Sequence, residues 1–370
     1  MDSINLGVEA LRDWLETGRP VTVLDIRPDW QREEWSIPGS LHVKNVRALN
    51  TGARSAGPGL NLPADQPVVA VCAEGRTSIF AVRALRELGI QALSLQGGMR
   101  AWSLMWNVAE VPLPGAAATV TQVRRTGKGC LSYMVASRGE AAVIDASIDP
   151  DVYLKLAHDR DLRITHVLDT HVHADHLSRS RVLAERSGAT VWMPEQKRTS
   201  YPYRPLRDGD SIRIGGATIA AMLTAGHTME STCYMVEGRA LITGDTLFPA
   251  AVGRPDLAAA DAEQAKKRAH ALYATLQKLL QLPPETLLLP GHTSEPIAFD
   301  EKPVAATLEE AKRAIPLLSV TEESFVEMLL GRIPPTPPNH LEIVRLNEAG
   351  EMPTGDATEL EAGANRCAVA

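Results

Sequence analysis

Apolar and polar positions alternate in two different manners along the chain. In the first hundred residues the apolar runs are short and unbroken. Val21-Thr22-Val23-Leu24-Asp25-Ile26 and Pro67-Val68-Val69-Ala70-Val71 have the β-branched content of strands buried on both faces. Between them and a third short run, Leu93-Ser94-Leu95, lies a helical pattern: Ile79, Val82, Leu85 and Leu88 recur every three residues, and Gly89 is placed to end the helix. Strands separated by helices predict a mostly parallel sheet covered on its faces.

Val111-Pro112-Leu113-Pro114-Gly115-Ala116-Ala117-Ala118 breaks both periods and reads as a linker. Hairpins follow. Tyr133–Val135 and Ala142–Ile144 flank a turn at 137–140, and Cys233–Val236 and Ala240–Thr243 flank another at 237–239. Helical segments fall at about 175–187 and 261–281. From about 350 onward Gly, Ala, Glu and Thr follow no period. The expected division is a first domain at 1–110, a linker at 111–117, a second domain at 118–349 and a loosely ordered tail at 350–370.

Composition narrows the functional classes. The 370 residues suit two domains, with 44% hydrophobic and 22% charged residues. A net charge of −7 and a pI near 5.8 point away from nucleic acid and anionic membranes. No apolar stretch reaches the ~18 residues of a membrane span. The acidic N-terminus is unlike a secretory signal, and four cysteines without paired spacing fit a reducing cytoplasm. A homo-oligomer is left open.

Two segments carry chemistry. In the first, Cys72-Ala73-Glu74-Gly75-Arg76-Thr77-Ser78 joins a strand to a helix. Such a loop turns backbone N–H groups inward at the positive end of the helix dipole, where a thiolate or persulfide is stabilised. Arg76 adds a positive charge, Gly75 permits the tight turn, and Glu74 and Thr77 complete the cradle. A buried cysteine ending a strand is the plain structural alternative. Asp25-Ile26-Arg27, Ile37-Pro38-Gly39-Ser40, the Cys72 loop and Gln96-Gly97-Gly98-Met99-Arg100-Ala101-Trp102 occur in an order that resembles a single-domain rhodanese. The resemblance implies a sulfurtransferase in which Cys72 carries a sulfane sulfur. Ser36 stands where many relatives have His, and Glu74 adds a negative charge that disfavours an anionic donor such as thiosulfate.

In the second segment, Thr170-His171-Val172-His173-Ala174-Asp175-His176 follows an apolar run and precedes a helix, placing three imidazoles and a carboxylate at a strand end. His227, Asp245 and His292 each stand beside Gly just after a strand pattern. The set resembles the metallo-β-lactamase superfamily over about 118–345, which implies an αββα sandwich with a metal at the edge of its sheets. The expected fold class is therefore α/β: a rhodanese-like parallel-sheet domain, then that sandwich.

The resemblance allows two ligand schemes. In a persulfide dioxygenase, one Fe(II) per chain would be held by His171, His227 and Asp245, with His173, Asp175, His176 and His292 orienting them. In a glyoxalase II-like thioester hydrolase, Zn(II) would use His171, His173, His227 and Asp245 for one ion, and Asp175, His176, His292 and the shared Asp245 for a second. Gly253-Arg254-Pro255-Asp256 resembles a dioxygenase segment whose Arg contacts the substrate carboxylate, and Phe325–Leu330 with the following prolines resembles the C-terminal arm of that branch. The pairing of a sulfane-sulfur carrier with a persulfide oxidiser favours the first scheme, since the two would share an intermediate at raised local concentration. The expected partners are then a low-molecular-weight persulfide, dioxygen, and sulfite or thiosulfate. Thr293-Ser294 stands where glutathione-using relatives often have Asp-Tyr, so coenzyme A persulfide stays open beside glutathione persulfide. A non-catalytic persulfide carrier or sensor is the further alternative.

Overall fold

The computed structural model describes residues 3–44, 62–63, 65–257, 259–363 and 365–370. The first domain is built on five parallel strands: β1 (Asn5–Leu6), β2 (Thr22–Asp25), β3 (Leu41–His42), β4 (Val68–Val71) and β5 (Ala92–Leu95), in the order β1-β5-β4-β2-β3. Strand alternation explains why its apolar runs are continuous. Val68 and Ala70 pack with the helix Ser78–Glu87, while Val69 and Val71 pack with Val8, Leu11, Met99 and Trp102 on the other face.

The second domain stacks two sheets. β6 (Asn107–Val111), β7 (Thr119–Arg124), β8 (Leu131–Ser137), β9 (Glu140–Ile144), β10 (Arg163–Leu168), β11 (Thr190–Pro194) and β12 (Arg204–Leu206) lie side by side in chain order. β6–β9 are antiparallel and β9–β12 parallel. The facing sheet begins with β13 (Ser211–Ile214), β14 (Ala217–Leu223), β15 (Thr232–Val236) and β16 (Ala240–Gly244). β17 (Val252–Gly253) leaves it, and β18 (Leu287–Pro290) and β19 (Ala306–Thr307) complete it. Tyr133, Val135, Ile144, Ile219, Tyr234 and Ile242 fill the space between the sheets. The intervening residues of the same strands face helices: Met134 and Val143 meet Tyr153 and Leu183, and Leu241 meets Leu272 and Phe325. This is the four-layer α/β sandwich expected.

Two expectations change. Residues 112–118 join β6 to β7 within one sheet, so the change of domain falls near 103–106, ahead of the segment read as a linker. Proline and glycine mark a turn there, and their composition cannot say which elements the turn connects.

The tail read as loosely ordered is packed into the fold. Ala357–Leu360 is helical, and β20 (Ala368–Val369) pairs antiparallel with β17. Glu361 lies buried between Arg125 at 2.8 Å and Arg179 at 2.5 Å. Burial pushes its carboxyl up, but the two guanidinium groups outweigh this and hold it well below the usual carboxylate range. Buried ion pairs and a two-residue ladder leave no periodicity to read. Among the described residues no helix is long and apolar enough to cross a membrane.

The turn after β7 is wedged between the domains. Trp35 Nε1 donates to the Thr126 carbonyl at 3.1 Å, and Arg125 Nε to the Ser103 carbonyl at 2.7 Å. A Cβ on Gly127 would lie 1.9 Å from the Trp102 carbonyl oxygen. Gly127→Ala is therefore expected to destabilise the interface by about 1–3 kcal/mol, as overpacking does. Chemical denaturation should show an earlier first transition; an unchanged midpoint would contradict the placement of this turn.

Candidate active sites

At the end of β4 the chain folds around the sulfur of Cys72. Gly75 N–H lies 3.1 Å from Sγ, Ser78 N–H 3.4 Å and Ser78 Oγ 3.3 Å. Ser78 opens the helix that follows, so the sulfur sits at its positive end. Ser94 on β5 holds the Ser78 hydroxyl at 2.8 Å. Gly75 has φ +76°, and a Cβ there would meet Gly97 N at 2.6 Å, so only glycine closes this loop. Burial pushes the Cys72 thiol up, but hydrogen bonds from Ser78, with others from Thr77 and the Glu74 backbone, bring it below its ordinary value.

Arg76 takes no part in this. It is exposed and lies 3.5 Å from Glu74, so the charge expected to help the sulfur is spent on its neighbour. The cradle works through N–H and O–H donors. Ser94 was invisible in the sequence pattern, because a serine in a buried strand has no motif.

The histidine segment follows β10. His227, Asp245 and His292 follow β14, β16 and β18, whose C-terminal ends share one edge of the facing sheet. His171, His227 and Asp245 are 1%, 2% and 3% exposed, and their ligand atoms lie within 4.8 Å of one another. Asp245 Oδ2 is 3.7 Å from His171 Nε2 and 3.6 Å from His227 Nε2.

The outer hydrogen bonds fix each ring. His227 Nδ1 donates to the Arg254 carbonyl at 2.8 Å. His171 Nδ1 donates to Thr170 Oγ1 at 2.9 Å, whose own proton goes to Asp145 at 2.9 Å. Both Nε2 lone pairs therefore point inward. His171 Nε2 and Asp245 Oδ2 have no hydrogen-bond partner although buried. Lone pairs left bare in this way cost about 1–3 kcal/mol each, and a cation satisfies them together. Burial keeps both imidazoles neutral, His171 well below its ordinary value, as a ligand requires. The residues present thus fit a metal ion.

The remaining histidines divide. His173 turns its Nε2 to Asp145 at 3.1 Å, with Asp169 3.9 Å away. Burial lowers its basicity, but the neighbouring carboxylates, Asp145 first, outweigh this and push it up to about 10. His292 Nδ1 donates to Asp245 Oδ1 at 2.9 Å, and His176 pairs with Asp175 at 3.0 Å. Asn347 clamps the loop by donating to the carbonyls of His173 and His176 at 2.8 and 2.9 Å.

Arg254 corrects an expectation. It is fully buried, forms a two-pronged pair with Asp256 at 2.7 and 2.8 Å, and donates to the carbonyls of Pro335 and Arg366. Its guanidinium is occupied and is not open to a substrate carboxylate. It instead ties the proline-rich arm and the C-terminal strand to the loop that orients His227.

Sequence reasoning also missed Asp145, Asp169, Cys130 and Cys367. The two aspartates end β9 and β10, the same strand-end signal that marked Asp245. Cys130 lies 3.7 Å from Asp175, and Cys367 approaches Asp245 and His292.

The family profile described as Metallo-beta-lactamase superfamily matches residues 125–292, and that described as Rhodanese-like domain matches residues 7–105. ETHE1 from Myxococcus xanthus is 30% identical, with 62% of this chain and 98% of that chain covered and a TM-score of 0.55. This chain belongs to the metallo-β-lactamase superfamily. A rhodanese-like domain precedes its metal-binding domain. A Metallo-beta-lactamase from Staphylococcus aureus is similar at 25% identity over 64% of this chain and 74% of that chain, with a TM-score of 0.57. Among curated relatives, the Hydroxyacylglutathione hydrolase of Rhizobium johnstonii is 35% identical over 42% of this chain and 57% of its own length. The Beta-lactamase hydrolase-like protein of Xylella fastidiosa is 27% identical over 66% and 61%. The chain spans less than two thirds of the length of either relative.

Removing the Ser78 hydroxyl takes a donor from the thiolate and raises the Cys72 thiol. Less thiolate then exists at neutral pH. Ser78→Ala is expected to slow iodoacetamide alkylation of Cys72 by about tenfold at pH 7, and the deficit should vanish at high pH. An unaltered rate–pH profile would show that the hydroxyl does not stabilise the anion.

Proposed function

We propose that this protein oxidises a low-molecular-weight persulfide to sulfite and thiol at the His171–His227–Asp245 site, and transfers sulfane sulfur at Cys72. The balance is RSSH + O2 + H2O giving RSH, sulfite and two protons. The observation that carries the reading is the grouping of two imidazoles and one carboxylate, His171, His227 and Asp245, with their ligand atoms within 4.8 Å of one another. Two histidines and a carboxylate leave open positions for substrate and oxygen together, the arrangement suited to non-haem iron. Iron bound there would supply the redox chemistry that activates dioxygen toward a persulfide sulfur.

The chain's own residues do the rest. Thr170 and the Arg254 carbonyl hold the two rings in one orientation, and His292 takes up Asp245 Oδ1 so that Oδ2 faces inward. Burial of the whole set excludes bulk water from a reactive sulfur species. At the other site, donors around Cys72 stabilise a persulfide anion between transfers.

A zinc-dependent thioester hydrolase is the second reading, favoured by the hydroxyacylglutathione hydrolase relatives. Metal analysis of the purified chain with oxygen-electrode measurements separates the two. Near-stoichiometric iron and oxygen uptake with glutathione or coenzyme A persulfide are expected. Stoichiometric zinc, thioester cleavage and no uptake would replace the dioxygenase reading with the hydrolase. Asp245→Ala should abolish sulfite formation, by at least ~100-fold, whereas Cys72→Ser should leave it in place and remove thiosulfate–sulfur exchange. If both variants lose sulfite formation equally, the two sites are not separate activities.

A further inference from the structure

The arginines nearest the metal-ligand loops are committed to partners, with one exception. Arg254 holds Asp256 at 2.7 and 2.8 Å, and Arg198 holds Glu230 at 2.6 Å and Glu348 at 2.8 Å. Arg268 holds nothing comparable. Its Nη1 is buried and, among the described residues, has no hydrogen-bond partner. Burial lowers the basicity of this guanidinium, Glu230 raises it, Arg198 lowers it and Asp256 raises it. Both carboxylates that act on it are thus already taken by other arginines. A guanidinium N–H withdrawn from water without an acceptor is costly, and an anionic acceptor is the group that would relieve it. The residue as a whole is only partly buried, so such a group can approach from solvent.

The helix Ala262–Leu279 fixes where Arg268 stands. Arg268, Leu272 and Thr275 follow one another at helical spacing and form one stripe. Thr275 Oγ1 donates to the Ala225 carbonyl at 2.8 Å, and a Cβ on Gly226 would lie 2.5 Å from that of Leu272. The stripe therefore runs along the loop Ala225–Glu230, which carries His227, with Arg268 toward the Glu230 end. Glu230 in turn reaches the other ligand loop: the Val172 N–H, next to His171, points to its Oε1 at 3.5 Å. Asp256 is bound to Arg254, whose carbonyl takes His227 Nδ1. Met229, beside Glu230, is 52% exposed, so this shoulder of the site faces solvent. An unsatisfied cation thus stands on the outer side of the loop that supplies a metal ligand.

We propose that Arg268 is a specificity-determining residue of this site, receiving the anionic group, a carboxylate or a phosphate, of the thiol that carries the persulfide. The inference rests on the persulfide reading above and adds to it the class of thiol. A guanidinium presents paired N–H donors that match either anion, and the bare Nη1 supplies one of them. Arg254 is not free for this task, since Asp256 and two backbone carbonyls occupy it. An uncharged thiol leaves Arg268 as unsatisfied as before, so the site sorts persulfides by the charge of the tail while the metal group meets the sulfur.

Calorimetric titration of the full chain with S-methylglutathione and S-methyl-coenzyme A, in separate arms, tests this without turnover. Binding of one or both is expected, and the tighter arm tells a carboxylate from a phosphate tail; methylthioethanol, which has no charge, should bind far more weakly than either. Arg268→Met should weaken the tighter arm about 10- to 100-fold, the loss of a charge-assisted hydrogen bond. Arg268→Lys should recover part of that loss, because the charge returns without the planar fork. In oxygen-uptake assays the Arg268→Met loss should fall on KM for the anionic persulfide, with kcat and the constants for mercaptoethanol persulfide changing far less. No binding of either thioether, unaltered affinity in Arg268→Met, or an equal loss for charged and uncharged persulfides would overturn the proposal. Arg268-dependent binding in a chain that consumes no oxygen defeats the dioxygenase reading alone. Oxygen uptake that Arg268→Met leaves unaltered with every persulfide defeats this one alone.

Discussion

Two imidazole nitrogens and a carboxylate oxygen are brought together out of reach of water, and much of the second domain is arranged to meet the cost of doing so. Bare lone pairs in a buried site repel one another and lack the hydrogen bonds water would give. They stay in place because every other polar atom of these side chains is committed elsewhere: His171 Nδ1 to Thr170, His227 Nδ1 to the Arg254 carbonyl, Asp245 Oδ1 to His292. The commitments extend outward, since Thr170 is held by Asp145, and Arg254 by Asp256 and the C-terminal chain. A cation is the natural completion of such an arrangement, which explains how a site can be this polar and this deeply buried at once.

The same logic connects the two domains. The turn Arg125–Cys130 touches the first domain through Gly127 and Trp35, and touches the metal-ligand loops through Gly129 and Cys130. The C-terminal segment repeats the pattern. Asp356 and Glu359 reach Arg100, which follows the turn packed on the Cys72 loop, while Cys367 approaches Asp245. Two short pieces of chain, distant in sequence, thus each contact the first domain and the metal-ligand loops.

The elements were readable wherever packing repeats. β4, the helix Ser78–Glu87 and the hairpin of β8 and β9 follow directly from runs of Val, Leu and Ile, because a strand or helix buries side chains at a fixed interval. The ligand residues were readable for a related reason: His and Asp beside Gly after an apolar run mark the strand ends where loops collect. The C-terminal segment was unreadable. It is held by one buried carboxylate between two arginines and by a two-residue ladder, interactions that occur once and have no period.

Local order along the chain therefore fixed which segments are strands and helices, and which side chains carry chemistry. Partnership was decided only in three dimensions. The sequence offers five histidines at the second site; the fold turns two Nε2 atoms inward, gives His173 to Asp145, His176 to Asp175 and His292 to Asp245. It also commits Arg254 to Asp256 and to the Pro335 and Arg366 carbonyls. The reason is physical. A residue type sets which hydrogen bonds and charges a side chain can offer, but the partner that takes them up comes from another strand or loop, and its position exists only once the sheets have stacked.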